Sequence, residues 1–143
     1  METFKKIFFT LLLVVGLATC KTQNSTIQDQ TETVSVDRLK SANIWGKKLH
    51  YVERGEGEPL IFIHSTVGYR SWISRMVPYS EAYQVVAYSR RYAYPNAQEF
   101  DESADYSVRI HADDLYALIQ KLGFKKVHLV GHSYGEYTAL TTA

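Results

Sequence analysis

The sequence contains a single cysteine, Cys20, among its 143 residues. One cysteine excludes an internal disulfide framework and any metal site built from several thiolates. The sequence also has no large excess of positive or negative charge, because 16 basic and 15 acidic residues leave a formal net charge of +1. Without a basic run that would bind phosphates, the sequence predicts no nucleic-acid partner. The sequence likewise implies neither a metal ion nor an organic cofactor.

The chain does have enough apolar sequence for one folded domain. Hydrophobic residues make up 45% of the sequence and charged residues 22%, a balance typical of globular domains that argues against disorder. Eleven tyrosines and two tryptophans are many aromatics for this length. We interpret them as ordinary packing rather than as an aromatic-lined pocket, so that composition alone leaves the function open.

The N-terminal segment resembles an export signal. Two lysines precede an apolar run at 7–18, which is too short to span a bilayer and has the length of a signal-peptide core. The run leads to Cys20 and is similar to the lipobox of bacterial lipoproteins, in which this cysteine carries the lipid anchor. Thr19 departs from the small residue that is usual there, so that cleavage at a small-residue site at 16–18 and an uncleaved apolar helix remain alternatives. We expect an exported protein, either anchored to the bacterial cell envelope or periplasmic or secreted.

Three parts follow one another along the chain. The signal peptide occupies 1–20, and the stretch at 21–33 has one large apolar residue and the composition of a flexible tether. The folded domain is predicted at 34–143.

Hydrophobic periodicity predicts the elements of that domain. Alternating and continuous apolar stretches predict strands, and apolar residues at three- and four-residue spacing predict a helix. The first predicted strand lies around Val34 and Val36, and the second lies at 47–54, after a turn at 43–46. Buried strands are predicted at 59–64, 83–88 and 126–130. Helices are predicted at 71–80 and at 106–122, the latter with Ser107 as its cap and Gly123 as its stop.

Two antiparallel strands followed by alternating parallel strands and helices predict an α/β fold. The polar loop at 90–105 follows the carboxyl end of a predicted parallel strand. In open α/β sheets ligands bind at this end.

The chemical motif is Gly131-His132-Ser133-Tyr134-Gly135, which matches G-x-S-x-G directly after a predicted strand and before a segment able to start a helix. A serine hydroxyl is a poor nucleophile at neutral pH, so it must stand on a sharp turn where a base can take its proton. Gly131 and Gly135 have no β-carbon to collide with the neighbouring strand and helix. The motif therefore predicts Ser133 as the nucleophile.

An acyl-transfer site also needs donors for the oxyanion that forms on the substrate. The helix that begins at the elbow directs its free N–H groups toward this charge, and the first of them belongs to Tyr134. The second donor is expected in the loop after the strand at 59–64. We place it at the backbone of Thr66, with Ser65 as the alternative.

From Leu49 to Ala143 the sequence resembles the α/β-hydrolase superfamily. The resemblance rests on LHYVERGEGEPLIFIHS, Trp72, VVAYSRRYAYPN and DYSVRIHADDLYALIQKLGFKKVHLVGHSYG. Within this superfamily, the sequence is similar to the branch of small carboxylesterases, enol-lactonases and cofactor-free haloperoxidases. Members of this branch use a serine, an acid and a histidine. The resemblance implies that Ser133 is the nucleophile and that Thr66 and Tyr134 form the oxyanion hole. It argues against haloalkane dehalogenases and epoxide hydrolases, which carry an aspartate at the elbow.

Three features depart from the family pattern. Ser65 stands where a glycine is usual, which affects the shape of the oxyanion loop, and Glu136 stands where a small residue is common. The family's acid and histidine belong to strands later than any in these 143 residues. We therefore expect the N-terminal half of an α/β-hydrolase fold, truncated after the nucleophile elbow and inactive by itself.

The remaining ionisable residues are interpreted as structural. The histidines are expected in packing or surface positions, and the two aspartates of the predicted helix on its solvated face or as cap partners. The arginines after the strand at 83–88 are expected to be exposed or ion-paired, with binding of a substrate carboxylate as the alternative. These residues are His50, His64, His111, His128, His132, Asp113, Asp114, Arg90 and Arg91.

Two functions of different classes are compatible with the sequence. The first is a serine hydrolase that cleaves a small ester or lactone through an acyl-enzyme on Ser133. The alternative is a catalytically inactive lipoprotein fragment or binding module. The expected partners are a small-molecule substrate and, if Cys20 is lipidated, a membrane. Peptidase and acyltransferase activities remain open because the substrate pockets of this fold are built largely by later segments.

Overall fold

The computed structural model describes residues 38–96 and 99–143. The predicted signal at 1–20, the tether at 21–33 and the alternating stretch at 34–36 lie outside the described residues. Within the described part of the chain, no helix is long and apolar enough to cross a membrane.

The described residues form one mixed five-stranded sheet. Its strands are β1 (Lys40–Ile44), β2 (Lys47–Arg54), β3 (Glu58–Ile63), β4 (Tyr83–Tyr88) and β5 (His128–Gly131). They lie in the order β1-β2-β4-β3-β5. β1 pairs antiparallel with β2 and β2 with β4, whereas β3 pairs parallel with both β4 and β5. This arrangement confirms the predicted α/β fold with two antiparallel strands ahead of the parallel ones.

Helices connect the parallel strands. A 3₁₀ turn at Tyr69–Trp72 leads into α1 (Ile73–Tyr79), α2 (Val108–Lys121) precedes β5, and α3 (Tyr134–Thr142) follows it. The helix predicted at 106–122 is thereby confirmed as α2, with Ser107 at its N-cap position. Gly123 follows α2 with a φ of 78°, the left-handed conformation in which helices often end.

Alternate residues of the central strands pack into two separate cores. Ile61 and Ile63 of β3 pack in a cluster with Leu115 of α2. The intervening Phe62 packs in a second cluster with Met76 of α1. Because helices cover both faces of these strands, their sequences read as continuous apolar runs rather than as alternating ones.

The first hairpin differs from the predicted turn at 43–46. Asn43 and Ile44 belong to β1, and the turn consists of Trp45 and Gly46 alone, with φ values of 49° and 77°. Two positive φ angles are the geometry of two-residue hairpins, because they match the twist of the paired strands. The Asn43 side chain accepts a hydrogen bond from the Gly46 N–H at 3.0 Å, which explains why a polar turn-forming residue lies next to the end of the strand.

The last strand also differs from its prediction as a strand buried on both faces. β5 begins at His128, and its four residues are exposed or half-buried because it lies at the edge of the described sheet. Its parallel register with β3 places Ile63 opposite Gly131. The carboxyl ends of the two strands are therefore level, which brings the segments that follow them close together.

The loop after β4 is fixed to its surroundings by polar side chains. Asn96 Nδ2 donates to the carbonyl of Ser89 at 2.6 Å, and Asn96 Oδ1 accepts from the N–H of His50 in β2 at 3.1 Å. The Ser89 hydroxyl in turn accepts from the Tyr69 N–H at 2.9 Å. These bonds hold the first part of the loop, up to residue 96, against the sheet, whereas most of the residues at 99–107 are exposed.

An ion pair attaches the same loop to α2. Arg91 Nε donates to Asp114 Oδ2 at 2.6 Å, and Arg91 Nη2 donates to Asp114 Oδ1. The interpretation of Asp114 as part of a solvated face was wrong, because its side chain is only 1% exposed. Asp113 does lie on the solvated face, with 60% of its side chain exposed. For Arg91 the ion-paired prediction is confirmed.

Replacement of Asp114 by asparagine should lower the free energy of unfolding by about 3–5 kcal/mol, since it leaves the Arg91 guanidinium buried without its carboxylate. Asp113→Asn is the matched control, because it makes the same chemical change one residue away on the exposed surface. It should alter stability by no more than about 0.5 kcal/mol. Denaturant unfolding of both variants measures the difference, and equal effects would contradict a stabilising role for the buried pair.

Candidate active site

The G-x-S-x-G motif forms a sharp corner between β5 and α3. Ser133 is the N-cap residue of α3 and has a φ of 54° and a ψ of −121°, a sparsely populated backbone conformation for a residue with a side chain. Ser133 and His132 are exposed. The serine hydroxyl is thus presented at the carboxyl end of the parallel strands, where ligands bind in α/β folds.

The two glycines of the motif are required by the close approach of α3 to the strands. A β-carbon on Gly135 would lie 2.3 Å from the carbonyl oxygen of Ile63, and one on Gly131 would lie 2.5 Å from the carbonyl oxygen of Gly135. Backbone atoms cannot move aside as a flexible side chain can. The predicted role of these glycines therefore has a direct steric basis.

Glu136 stabilises the corner. Its Oε1 accepts a hydrogen bond from the Ser133 N–H at 3.1 Å. This is the reach-back contact of a capping box, which satisfies an N–H that the helix leaves unpaired. The departure from the family pattern at this position thus supplies a carboxylate that holds the turn around Ser133.

The loop after β3 faces this corner. The His132 N–H donates to the Ile63 carbonyl at 3.1 Å, which ties the elbow to the end of β3. Among the described residues, neither the Thr66 N–H nor the Tyr134 N–H has a hydrogen-bond acceptor. Ser65 is not among the described residues with positive φ, so its side chain causes no backbone strain in place of the usual glycine.

Two cavities flank the loop after β3, and both are lined by Ser65 and Thr66. The first cavity, of about 390 Å³, also contacts Tyr134 of the elbow. The second, of about 320 Å³, also contacts His132 of the elbow. Ser133 lies between these two elbow residues in sequence, and its own side chain lines neither cavity. Such cavities are of the size that small-molecule ligands occupy.

Arg90 connects the two halves of the predicted oxyanion site. Its backbone N–H donates to His64 Nε2 at 2.9 Å, and its guanidinium donates through Nη2 to the carbonyl of Ser65. The guanidinium carbon also lies 4.5 Å from the centroid of the Tyr134 ring, within cation–π distance. The prediction that Arg90 is exposed or ion-paired does not hold, because the residue is only 8% exposed and no described carboxylate pairs with it.

Two imidazoles near this cluster are kept neutral by their surroundings. Burial, together with the neighbouring Arg90 charge, lowers the pKa of His64 to about 3. Burial and Arg90 likewise lower the pKa of His111 to about 4. His64 was expected in a packing or surface position, and it is buried, with its Nε2 accepting a hydrogen bond from the Arg90 N–H. His111 was expected in a packing or surface position as well, and no pattern in the sequence indicates that it lines the first cavity.

The described residues do not supply the rest of a catalytic triad. None of their imidazoles is hydrogen-bonded to the Ser133 hydroxyl. His50 contacts Asn96, and His128 pairs with Glu58 at 2.9 Å, both away from the elbow. No cluster of His, Cys, Asp or Glu in the described ranges could hold a metal ion. The roles of Ser133, Thr66 and Tyr134 stay predictions, and Cys20 lies outside the described residues.

An exposed serine on a strand–turn–helix corner, above parallel strands covered by helices on both faces, defines a protein of the nucleophile-elbow type. The sequence model of the alpha/beta hydrolase fold family matches residues 58–143. The chain belongs to this family.

Comparison with known proteins finds several enzymes of the same fold. The cis-3-alkyl-4-alkyloxetan-2-one decarboxylase of Shewanella oneidensis is 30% identical over 95 residues, which are 63% of this chain and 29% of the relative. The (E)-2-((N-methylformamido)methylene)succinate hydrolase of Acinetobacter baylyi is 33% identical over 88 residues, which are 60% of this chain and 32% of the relative. The chain therefore spans about a third of the length of these relatives.

A solved structure also resembles this chain in its fold. The epoxide hydrolase of Vigna radiata superimposes with a TM-score of 0.68 and 28% sequence identity, over 76% of this chain and 36% of that protein. This likeness supports the assignment of the fold.

Proposed function

We propose that this protein is a serine hydrolase that cleaves a small ester or lactone through an acyl-enzyme on Ser133. The observation that carries the proposal is the strained, exposed backbone of Ser133 at a corner whose glycines have no room for a β-carbon. Strain of this kind persists only where the surrounding structure enforces it, and it is concentrated at functional sites.

The free backbone donors support the same chemistry. When Ser133 attacks a carbonyl, negative charge develops on the carbonyl oxygen and must be stabilised by donors that are already in place. The N–H groups of Thr66 and Tyr134 have no acceptor among the described residues, and we assign them this role. The positive end of the α3 dipole adds to the stabilisation.

The base that takes the serine proton is not among the described residues. In the family that the sequence resembles, the acid and the histidine belong to strands later than β5. The proposed activity therefore belongs to the full-length protein.

An acyl substrate is favoured over an epoxide by the residue at the elbow. The epoxide hydrolases of this superfamily carry an aspartate where this chain has Ser133, and a serine forms an acyl-enzyme rather than an alkyl-enzyme ester. The Shewanella relative acts on an oxetan-2-one, which is a four-membered lactone ring. Its named reaction is a decarboxylation, so this relative supports binding of a lactone ring and not its hydrolysis.

A fluorophosphonate probe should label the full-length protein at Ser133, because the probe reacts with serines that a base activates. Ser133→Ala should abolish labelling and lower kcat on short-chain esters by about 10⁴-fold or more. Ser103→Ala, at an exposed serine in the loop before α2, is the control and should leave both unchanged. Labelling and ester kinetics measure the effect.

A folded full-length protein that stays unlabelled would instead support the alternative of an inactive binding module. Hydrolysis that persists in Ser133→Ala would also contradict the nucleophile assignment. Turnover of an epoxide without ester hydrolysis would overturn the substrate class.

Thr66→Pro should lower kcat about 10²- to 10³-fold, because proline has no N–H to donate to the oxyanion. Thr66→Ala keeps the backbone donor and should retain most of the activity. Steady-state kinetics on one ester separate the two variants, and thermal unfolding establishes that both are folded. Equal rates in the two variants would contradict the assignment of Thr66 as an oxyanion donor.

For localisation, we propose that the protein is exported and anchored to a membrane through lipid on Cys20. The apolar run at 7–18 and the cysteine that follows it support this proposal. Each buried methylene of an acyl chain contributes about 0.8 kcal/mol, so two or more chains hold a protein at a bilayer stably.

Replacement of Cys20 by alanine should move the protein from the membrane fraction to the soluble fraction and abolish incorporation of a labelled fatty acid. Thr19→Gly brings the sequence closer to the lipobox and should leave both unchanged. Fractionation and lipid labelling in a bacterial host provide the measurement. If the unaltered protein incorporates no lipid, cleavage at the small-residue site at 16–18 becomes the preferred interpretation.

A further inference from the structure

The structure buries an arginine without an acidic partner. Arg90 is 8% exposed, and no carboxylate of residues 38–96 and 99–143 forms an ion pair with it. Its Nε is buried and has no hydrogen-bond partner. The adjacent Arg91 shows the usual arrangement, since its Nε and its Nη2 both donate to the Asp114 carboxylate. Burial of a charge without a counterion is unfavourable in free energy, so the burial of the Arg90 guanidinium without a carboxylate requires an explanation.

This arginine lies in the wall of the first cavity, next to the elbow. The cavity has a volume of about 390 Å³ and is also lined by Thr66, Tyr134 and His111. Arg90 is held in place by its bond to the carbonyl of Ser65 and by the Tyr134 ring. The cationic group is thus preorganised beside the two proposed oxyanion donors.

A second unsatisfied polar atom belongs to a residue that lines the same cavity. His111 Nδ1 is buried and has no hydrogen-bond partner among the described residues. The His111 ring packs edge-on against the rings of Tyr92 and Tyr134, with centroids 5.9 Å and 5.8 Å away. Its position is therefore fixed by packing and not by a polar partner within the protein.

We infer that this cavity binds a carboxylate of the substrate, with the Arg90 guanidinium as its counterion and His111 as a neighbouring polar contact. The inference rests on the proposed function and narrows its substrate class to esters or lactones that carry a carboxylate close to the scissile carbonyl. A planar guanidinium binds a carboxylate through paired hydrogen bonds. The ligand would supply the negative charge that the described protein does not.

The test compares two 4-nitrophenyl esters of equal chain length in the full-length protein. One is the monoester of glutaric acid, which ends in a free carboxylate, and the other is the neutral pentanoate. We expect kcat/KM to favour the glutarate ester by at least about tenfold, because a hydrogen bond to a charged group is worth about ten- to a hundredfold. Arg90→Gln should abolish this preference, so that the ratio of the two kcat/KM values falls to about one whatever happens to the rate on the pentanoate.

Control variants separate charge from structure. Arg109→Gln removes an exposed arginine of α2, whose side chain is 85% exposed, and should keep the preference. Arg90→Lys keeps the charge but loses the paired geometry, so the preference should fall to an intermediate value. If Arg90→Gln does not fold, His111→Gln changes the same cavity from another element and should also reduce the preference.

A binding measurement distinguishes failure of this inference from failure of the proposed function. Calorimetry with glutarate on full-length Ser133→Ala needs no chemistry, and Arg90→Gln should weaken the affinity at least about tenfold. Arg90-dependent glutarate binding without any ester hydrolysis would uphold the cavity assignment and overturn the hydrolase proposal. Equal kcat/KM values for the two esters would overturn the carboxylate site. An equal loss of kcat/KM for both esters in Arg90→Gln would also overturn it and would leave Arg90 as a positioning residue.

Discussion

The contact of the first turn of α3 with the end of β3 is the constraint on which the site depends. A β-carbon at Gly135 would meet the Ile63 carbonyl at 2.3 Å, so α3 can begin there only with a glycine. This approach forces the chain to turn within one residue, and Ser133 takes up the positive φ of 54°. The same contact brings the Tyr134 N–H toward the loop that follows β3. The proposed nucleophile and the proposed oxyanion donors therefore depend on the same steric contact.

Arg90 adds an electrostatic constraint to this steric one. Its buried charge contacts the Tyr134 ring and the Ser65 carbonyl, so it joins the elbow to the loop after β3. It also contributes to lowering the pKa of His64 to about 3 and that of His111 to about 4. Both imidazoles are therefore neutral at physiological pH. The positive charge near the proposed oxyanion site belongs to Arg90 and to the α3 dipole, and it does not vary with pH in this range.

The sequence predicted those parts of the structure that depend on local patterns. Strand β4, helix α2 with Ser107 at its N-cap, and the elbow around Ser133 follow from apolar periodicity and from glycine spacing. Features that depend on tertiary contacts were missed. Asp114 has a polar side chain on an amphipathic helix, and only the approach of the loop bearing Arg91 buries it. The edge position of β5 follows from strand order, which periodicity does not encode.

The two cavities that share Ser65 and Thr66 differ in chemistry, and this difference bears on how a substrate would be oriented. One contains the buried Arg90 guanidinium, whereas the other is lined by Val67 and Trp72 and by the exposed Arg75. In the proposed binding mode, an ester with one charged and one apolar end would place its carbonyl beside the Thr66 N–H, at the residues that both cavities share. Placing the carboxylate in the other cavity would leave the Arg90 charge uncompensated and expose the apolar end to it. Because unpaired buried charges are penalised more heavily than misplaced apolar groups, charge rather than shape would select the orientation.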